Sequence, residues 1–116
     1  MNISMIGAGY VGLVSAACFS EFGWTVTCID NDPSKIDALR KGRVPIYEPR
    51  LDELLERNLR QGRISFDTDL ASSVGNADLV FLAVGTPMRR GDGHADLSFI
   101  FQAVEELAPH LKGFTV

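Results

Sequence analysis

Residues Ile3-Ser4-Met5-Ile6-Gly7-Ala8-Gly9-Tyr10-Val11-Gly12 set a short apolar run directly against a glycine-rich turn. Ile3 to Ile6 reads as a buried strand closed by Gly7. Val11, Val14, Cys18 and Phe22 then recur at steps of three and four, the spacing of a helix face, and Gly23 supplies a natural stop. The turn itself is G-x-G-x-x-G, a pattern that is weak alone but has a mechanical meaning between a strand and a helix. Gly7 allows the tight turn, Gly9 lets backbone approach a pyrophosphate, and Gly12 lets the helix pack closely on the strand. The free N–H groups at the helix start, those of Tyr10 and Val11, are expected to face the phosphates, helped by the positive end of the helix dipole.

The alternation continues outward from this unit. Thr25 to Ile29 is a second strand, rich in β-branched residues. Asn31-Asp32-Pro33 ends it and starts a helix, with Asp32 as N-cap, Pro33 at the first helical position, Ile36 and Leu39 inward, and Gly42 as the stop. Val44 to Pro49 holds two prolines and reads as loop, followed by a helical stripe of Leu51, Leu54, Leu55 and Leu59. Ile64 to Phe66 is a weak strand and Asp69 to Val74 a short helix. Ala77 to Val84 is nearly continuous apolar, as for a parallel strand buried on both faces. Gly85 to Asp96 is a polar loop. Ile100, Ala103, Val104, Leu107 and Leu111 outline a last helix from Ser98 to Leu111. Phe114-Thr115-Val116 begins a fifth parallel strand beside Leu79 to Val84, and the chain stops as if cut inside it. The expectation is an α/β fold: a Rossmann-type doubly wound parallel sheet with right-handed crossovers, truncated after the start of the fifth strand, with residues 1–116 as one domain.

Asp30 stands at the tip of the second strand, 18 residues after Gly12. A carboxylate there accepts hydrogen bonds from the adenosine ribose hydroxyls and repels a 2′-phosphate, so the cofactor expected is NAD in preference to NADP. Lys35 lies close by and by itself would suit a phosphate, but Asp30 and Asp32 flank it. An FAD site is disfavoured, because the spacing carries no FAD-specific feature.

Composition narrows the rest. The 116 residues are 46% hydrophobic and 22% charged, the range of an ordinary folded domain. A net charge of −4 with scattered basic residues argues against nucleic acid, whose ligands show a basic stripe. Met1 to Ile6 lacks the positive region of a secretion signal, and no apolar run is long enough for a membrane span. Cys18 and Cys28 have neither redox nor metal spacing and read as two reduced, buried thiols. These features together suit the cytoplasm, with no metal.

The string Gly7-Ala-Gly-Tyr-Val-Gly-Leu-Val14 resembles the opening of the nucleotide-sugar dehydrogenases. Asp32-Pro-Ser-Lys35-Ile36, Pro45-Ile-Tyr-Glu-Pro49, Leu51-Asp-Glu-Leu-Leu55, Val84-Gly-Thr-Pro87 and Asp92-Gly-His-Ala-Asp-Leu-Ser98 extend the likeness along nearly the whole chain. The chain is thereby identified as similar to the UDP-glucose/GDP-mannose dehydrogenase family, and within it to bacterial UDP-glucose 6-dehydrogenases. The resemblance implies NAD contacts at Gly7, Gly9, Tyr10, Val11, Gly12, Asp30, Lys35 and Thr86. It also implies oxidation of a sugar alcohol to a carboxylate in two hydride transfers, through a thioester on a catalytic cysteine. That cysteine, its lysine and aspartate neighbours and most UDP-sugar contacts belong to a C-terminal half not found in these residues. The whole enzyme is expected to be a homo-oligomer. No catalytic residue is therefore expected in this chain. Cys18 on a buried helix face and Cys28 inside a strand lack the accessible, electropositive setting of a nucleophile.

Two positions depart from the family pattern. Arg50 stands where glycine usually follows Glu-Pro, so the local turn is expected to differ. Met88 follows Pro87 where a small polar residue is commoner, so no side-chain hydrogen bond is expected there. His94 reads as an exposed loop histidine, and Asp67 with Asp69, or Glu105 with Glu106, as a turn and a solvated helix face. The alternatives are the corresponding part of a GDP-mannose 6-dehydrogenase, disfavoured by the Asp92-to-Ser98 string, and a non-catalytic NAD-sensing Rossmann domain that needs no substrate half.

Overall fold

A computed structural model describes residues 1–116. Four parallel strands, β1 (Asn2–Ile6), β2 (Thr25–Ile29), β3 (Ile64–Asp67) and β4 (Leu79–Leu82), form one sheet in the order β3-β2-β1-β4. Chain direction thus runs outward from β1 through β2 to β3, then returns to place β4 on the other side of β1. Register is set by Ile3 opposite both Val26 and Leu79, and by Val26 opposite Ile64. The helices are α1 (Tyr10–Glu21), α2 (Pro33–Arg40), α3 (Leu51–Arg60), α4 (Leu70–Val74) and α5 (Ser98–Leu107).

The period-two alternation of the strands sorts side chains between two cores. Ile3 and Met5, Val26 and Cys28, and Ile64 and Phe66 point to one face, where Leu13, Ala16 and Ala17 of α1, Ile36 and Leu39 of α2, and Leu51 and Leu55 of α3 cover them. Ile6 and Ile29 point to the other face, against Val74 of α4 and Ala103 and Leu107 of α5. Helices on both faces make the sheet doubly wound, as expected from the alternating pattern. Ser4 is the polar exception on the second face. Its hydroxyl donates to the Ser73 carbonyl at 3.0 Å and lies 2.7 Å from Ser73 Oγ, so its burial is compensated.

Four expectations need correction. The buried side of α1 is Gly12, Leu13, Ala16, Ala17 and Ser20, whereas Val11 and Phe22 are 67% and 71% exposed. The turn presses α1 onto the sheet at Gly12, and the stripe that continues from it through Leu13, Ala16, Ala17 and Ser20 faces inward, which leaves Val11 and Phe22 on the outside. Cys18 is accordingly half-buried and only Cys28 is fully enclosed. β4 is not buried on both faces: Leu79, Val80 and Phe81 are half-buried and Leu82 is exposed, because little lies against its outer side. The last helix stops at Leu107, and Ala108–His110 forms a single 3₁₀ turn around Pro109.

Phe114 to Val116 is too short to form a full strand, yet the predicted pairing has begun. Val116 N–H donates to the Asp78 carbonyl at 3.2 Å, and Val80 N–H donates to the Val116 carbonyl at 2.7 Å. That pair of bonds brackets Leu79 and is the pattern of a parallel ladder.

Candidate functional site

The reversal of strand order between β1 and β4 opens a crevice at the carboxyl ends of the strands, where doubly wound sheets bind their ligands. It encloses about 430 Å³. Gly7, Gly9, Asp30, Lys35, Ala83 and Gly85 line it, together with Thr68, Leu70 and, from α5, Phe99, Gln102 and Glu106.

Each glycine of the turn has a different reason to be glycine. Gly7 has φ +109°, and a Cβ there would overlap the Ala83 carbonyl. A Cβ on Gly12 would overlap the Gly7 carbonyl oxygen, so α1 is locked against its own turn. A Cβ on Gly9 would meet nothing within 4 Å. Gly9 therefore faces open space beside the crevice, which fits backbone cleared for a ligand. The N–H groups of Gly9, Tyr10, Val11 and Gly12 have no acceptor in the protein, and the first bonded amide of the helix is Leu13, on the Gly9 carbonyl at 2.9 Å. No acidic side chain occupies the first turn of α1. Four unpaired donors, a helix dipole and open space make an anion cradle of pyrophosphate type.

Asp30 is not a solvated turn residue. Its Oδ2 accepts from Ala8 N–H at 3.0 Å, tying the end of β2 to the glycine turn, and its Oδ1 accepts from Asp32 N–H at 3.0 Å. Lys35 Nζ lies 3.5 Å from Asp30 Oδ2. Each carboxylate oxygen retains lone-pair capacity for a further donor in the crevice. Asp32 caps α2 as expected, accepting from Ser34 N–H at 3.0 Å and Lys35 N–H at 3.3 Å.

The crevice thus brings together Gly7, Gly9, Asp30 and Lys35, with Gly12 packed beneath the turn. Tyr10 and Val11 lie outside the lining and are 54% and 67% exposed. Thr86 lies one residue beyond the lining at Gly85 and is exposed. His94 sits in a small hairpin where Met88 bridges Ala95. Arg89 N–H donates to the His94 carbonyl at 2.7 Å, and Arg89 pairs with Asp92 at 2.8 Å. At the exit of this hairpin Asp96 Oδ1 accepts from Ser98 N–H at 2.9 Å, which holds the Asp96 carboxyl below its usual range.

Arg50 corrects a further expectation. It adopts φ +68° and ψ −1°, the left-handed conformation a glycine would take, so the turn into α3 keeps a glycine-like shape despite the substitution. Sequence reading also missed the partner of Tyr10. Its hydroxyl donates to Glu48 Oε2 at 2.6 Å, and this bond and the nearby carboxylate charge raise the phenol above its ordinary range. Phe99, Gln102, Ala103 and Glu106 were missed as crevice lining too, although their i, i+3, i+4, i+7 spacing was a usable signal.

Fold and site together define a dinucleotide-binding domain of the doubly wound class. The family model described as "UDP-glucose/GDP-mannose dehydrogenase family, NAD binding domain" matches residues 1–116, and the chain belongs to that family. It is 58% identical to the UDP-glucose 6-dehydrogenase of Rhizobium meliloti (strain 1021) over all 116 residues, which are 26% of that protein. It is 50% identical to UDP-glucose 6-dehydrogenase YwqF of Bacillus subtilis (strain 168), again over 100% of this chain and 26% of the other. Among solved structures, a UDP-glucose dehydrogenase from the hyperthermophilic archaeon Pyrobaculum islandicum superposes with a TM-score of 0.89 at 41% identity, covering 94% of this chain and 25% of that one. A GDP-mannose dehydrogenase from Pseudomonas aeruginosa gives 0.88 at 40% identity, covering 92% and 24%. The chain therefore spans about a quarter of the length of these relatives. No helix is long and apolar enough to cross a membrane.

Proposed function

We propose that residues 1–116 are one domain, the NAD-binding portion of a UDP-glucose 6-dehydrogenase that oxidises UDP-glucose to UDP-glucuronate in the cytoplasm. The observation that carries the cofactor role is the open face of Gly9 beside four N–H groups without acceptors. Gly7, Gly9, Tyr10, Val11 and Gly12 then hold the pyrophosphate, Asp30 and Lys35 the adenosine ribose, and Thr86 the cofactor beyond the end of β4. NAD, when bound, supplies the hydride acceptor. This chain's own part is to bind and orient it. Cys28 is fully enclosed, and burial first and the Asp30 charge second push its thiol up to about 12, which does not suit a thiolate nucleophile. The nucleophile, the sugar pocket and homo-oligomer contacts are assigned to the remaining three quarters of the protein. The names of the sequence relatives support UDP-glucose over GDP-mannose as substrate.

Titration calorimetry tests the reading. The 116-residue chain is expected to bind NAD, to prefer it to NADP, and to produce no NADH from UDP-glucose, whereas the longer protein does. Equal affinity for the two cofactors removes the Asp30 assignment. Turnover by the short chain overturns the division of labour.

A further inference from the structure

The crevice lining carries one cation and two carboxylates: Lys35, Asp30 and Glu106. Lys35 is not free. Its ammonium lies 3.5 Å from Asp30 Oδ2, and it leaves α2 beside the place assigned to the adenosine ribose. The first N–H groups of α2 are partly spent, since the Asp32 carboxylate occupies those of Ser34 and Lys35, and the other polar side chains near Asp30 in the lining, Asn31 and Thr68, are neutral. The nearest guanidinium on the same helix, Arg40, is committed to Asp67 at 3.5 Å, to Asp37 at 4.0 Å and to the Phe66 carbonyl at 2.9 Å.

We infer that Lys35 is a latent 2′-phosphate anchor masked by Asp30, so that the Asp30–Lys35 pair, and not the carboxylate alone, sets the choice between NAD and NADP. The inference rests on the proposed cofactor role and names the specificity device within it. With both groups present, a 2′-phosphate meets a carboxylate whose counter-charge is already spoken for, in a lining of net charge −1. Neutralising Asp30 releases the ammonium and brings the lining to zero. Neutralising Lys35 leaves two carboxylates without a cation, and the lining falls to −2. Coulomb attraction over a few ångströms in a partly enclosed crevice is large enough to turn such changes into measurable affinity. The two single substitutions therefore act on NADP in opposite directions, which a purely structural role for the pair does not predict.

The test is a double-mutant cycle on the purified full-length protein, with NAD and NADP affinities measured for wild type, Asp30→Asn, Lys35→Met and the double variant. Asn keeps an oxygen to accept from Ala8 or Asp32, so the turn retains an acceptor. Asp30→Asn is expected to tighten NADP by roughly tenfold, and the gain is expected to vanish in the double variant. Lys35→Met alone is expected to weaken NADP more than NAD, widening the preference. If the gain in Asp30→Asn survives without Lys35, or no gain occurs, the inference is overturned. Should Asp30→Asn fail to fold, the Lys35→Met ratio decides alone: a wider preference supports masking, and an unchanged one removes it. Wild type that binds neither cofactor removes the proposed cofactor role itself, a result distinct from NAD binding with an inert Lys35.

Discussion

The Tyr10 hydroxyl donates a 2.6 Å hydrogen bond to Glu48 Oε2, fastening the first residue of α1 to the proline-bounded loop before α3. The bond joins positions 38 apart in sequence and holds in place the helix end whose N–H groups have no acceptor. Because it favours the protonated phenol, Tyr10 titrates above its ordinary range. The sign follows directly. The unfolded chain loses this proton first, so the contribution is complete below the ordinary tyrosine value and is lost as pH rises through the folded one. An ultraviolet phenolate titration is expected to show one tyrosine with a raised midpoint, absent in Tyr10→Phe and shifted down in Glu48→Gln. An unmoved midpoint in Glu48→Gln means the bond does not form in solution.

Gly9 and Gly12 separate ligand binding from folding. Gly9 has φ −78° and ψ −167°, a conformation open to alanine, and a Cβ there meets nothing. Gly9→Ala is expected to leave stability within about 0.5 kcal/mol of wild type and to weaken NAD by roughly tenfold or more, about 1.4 kcal/mol. Gly12→Ala drives a methyl into the Gly7 carbonyl and is expected to cost about 1–3 kcal/mol of stability or more. Thermal melts with and without NAD distinguish them. A destabilised Gly9→Ala, or an undisturbed Gly12→Ala, contradicts the geometry of the turn.

Local chemistry made most of the frame legible in sequence. The glycine turn, the Asp32 cap, the Ile36–Leu39 and Leu51–Leu55 faces and the order of elements each depend on residues close together in the chain. The misreadings depend on distance between elements. Steps of three and four identify a helix but not which stripe is buried, and on α1 the stripe that continues from Gly12 through Leu13, Ala16 and Ala17 is inside while Val11 and Phe22 are outside. The Tyr10–Glu48 bond, the Ser4–Ser73 pair and the Asn58 amide on Glu21 join positions 38, 69 and 37 apart, and no spacing rule announces them. Gly7, Gly9, Asp30 and Lys35 line the crevice, and the turn and the strand tip that place them are local features of the chain. The wall formed by α5 needed the fold.

Cys28 should be chemically silent in the folded protein. It is 0% exposed, and burial with the Asp30 charge pushes its thiol up to about 12, against a smaller opposing pull from Lys35. The folded state therefore keeps the proton where the unfolded state releases it. Stability from this group is complete below the ordinary thiol value and declines as pH climbs toward 12. Maleimide labelling at pH 8 is expected to leave Cys28 unmodified in the native protein and to modify both cysteines in denaturant. Native labelling of Cys28 at the rate of an unfolded thiol rules out this account of its burial.

Arg50 is the one non-glycine residue with positive φ, at +68° immediately before α3, and it makes no side-chain cap bond. An L-residue in this left-handed region carries about 1–2 kcal/mol of strain. Glycine relieves that strain but loses about 0.5–1 kcal/mol through the greater freedom of its unfolded backbone. Arg50→Gly is thus expected to stabilise the protein by about 0.5–1 kcal/mol. The turn itself should not change, because Leu54 N–H already bonds the Arg50 carbonyl at 3.0 Å and Leu51 N–H the Glu48 carbonyl at 3.1 Å. The same loop holds Glu48 against Tyr10, so NAD affinity should stay constant. Arg50→Ala serves as the control: it removes the same charge and side chain but keeps the strained backbone, and should give no gain. Denaturant unfolding of the three proteins settles the cause. Equal stabilisation by glycine and alanine assigns the effect to the lost side chain and leaves the backbone argument without support.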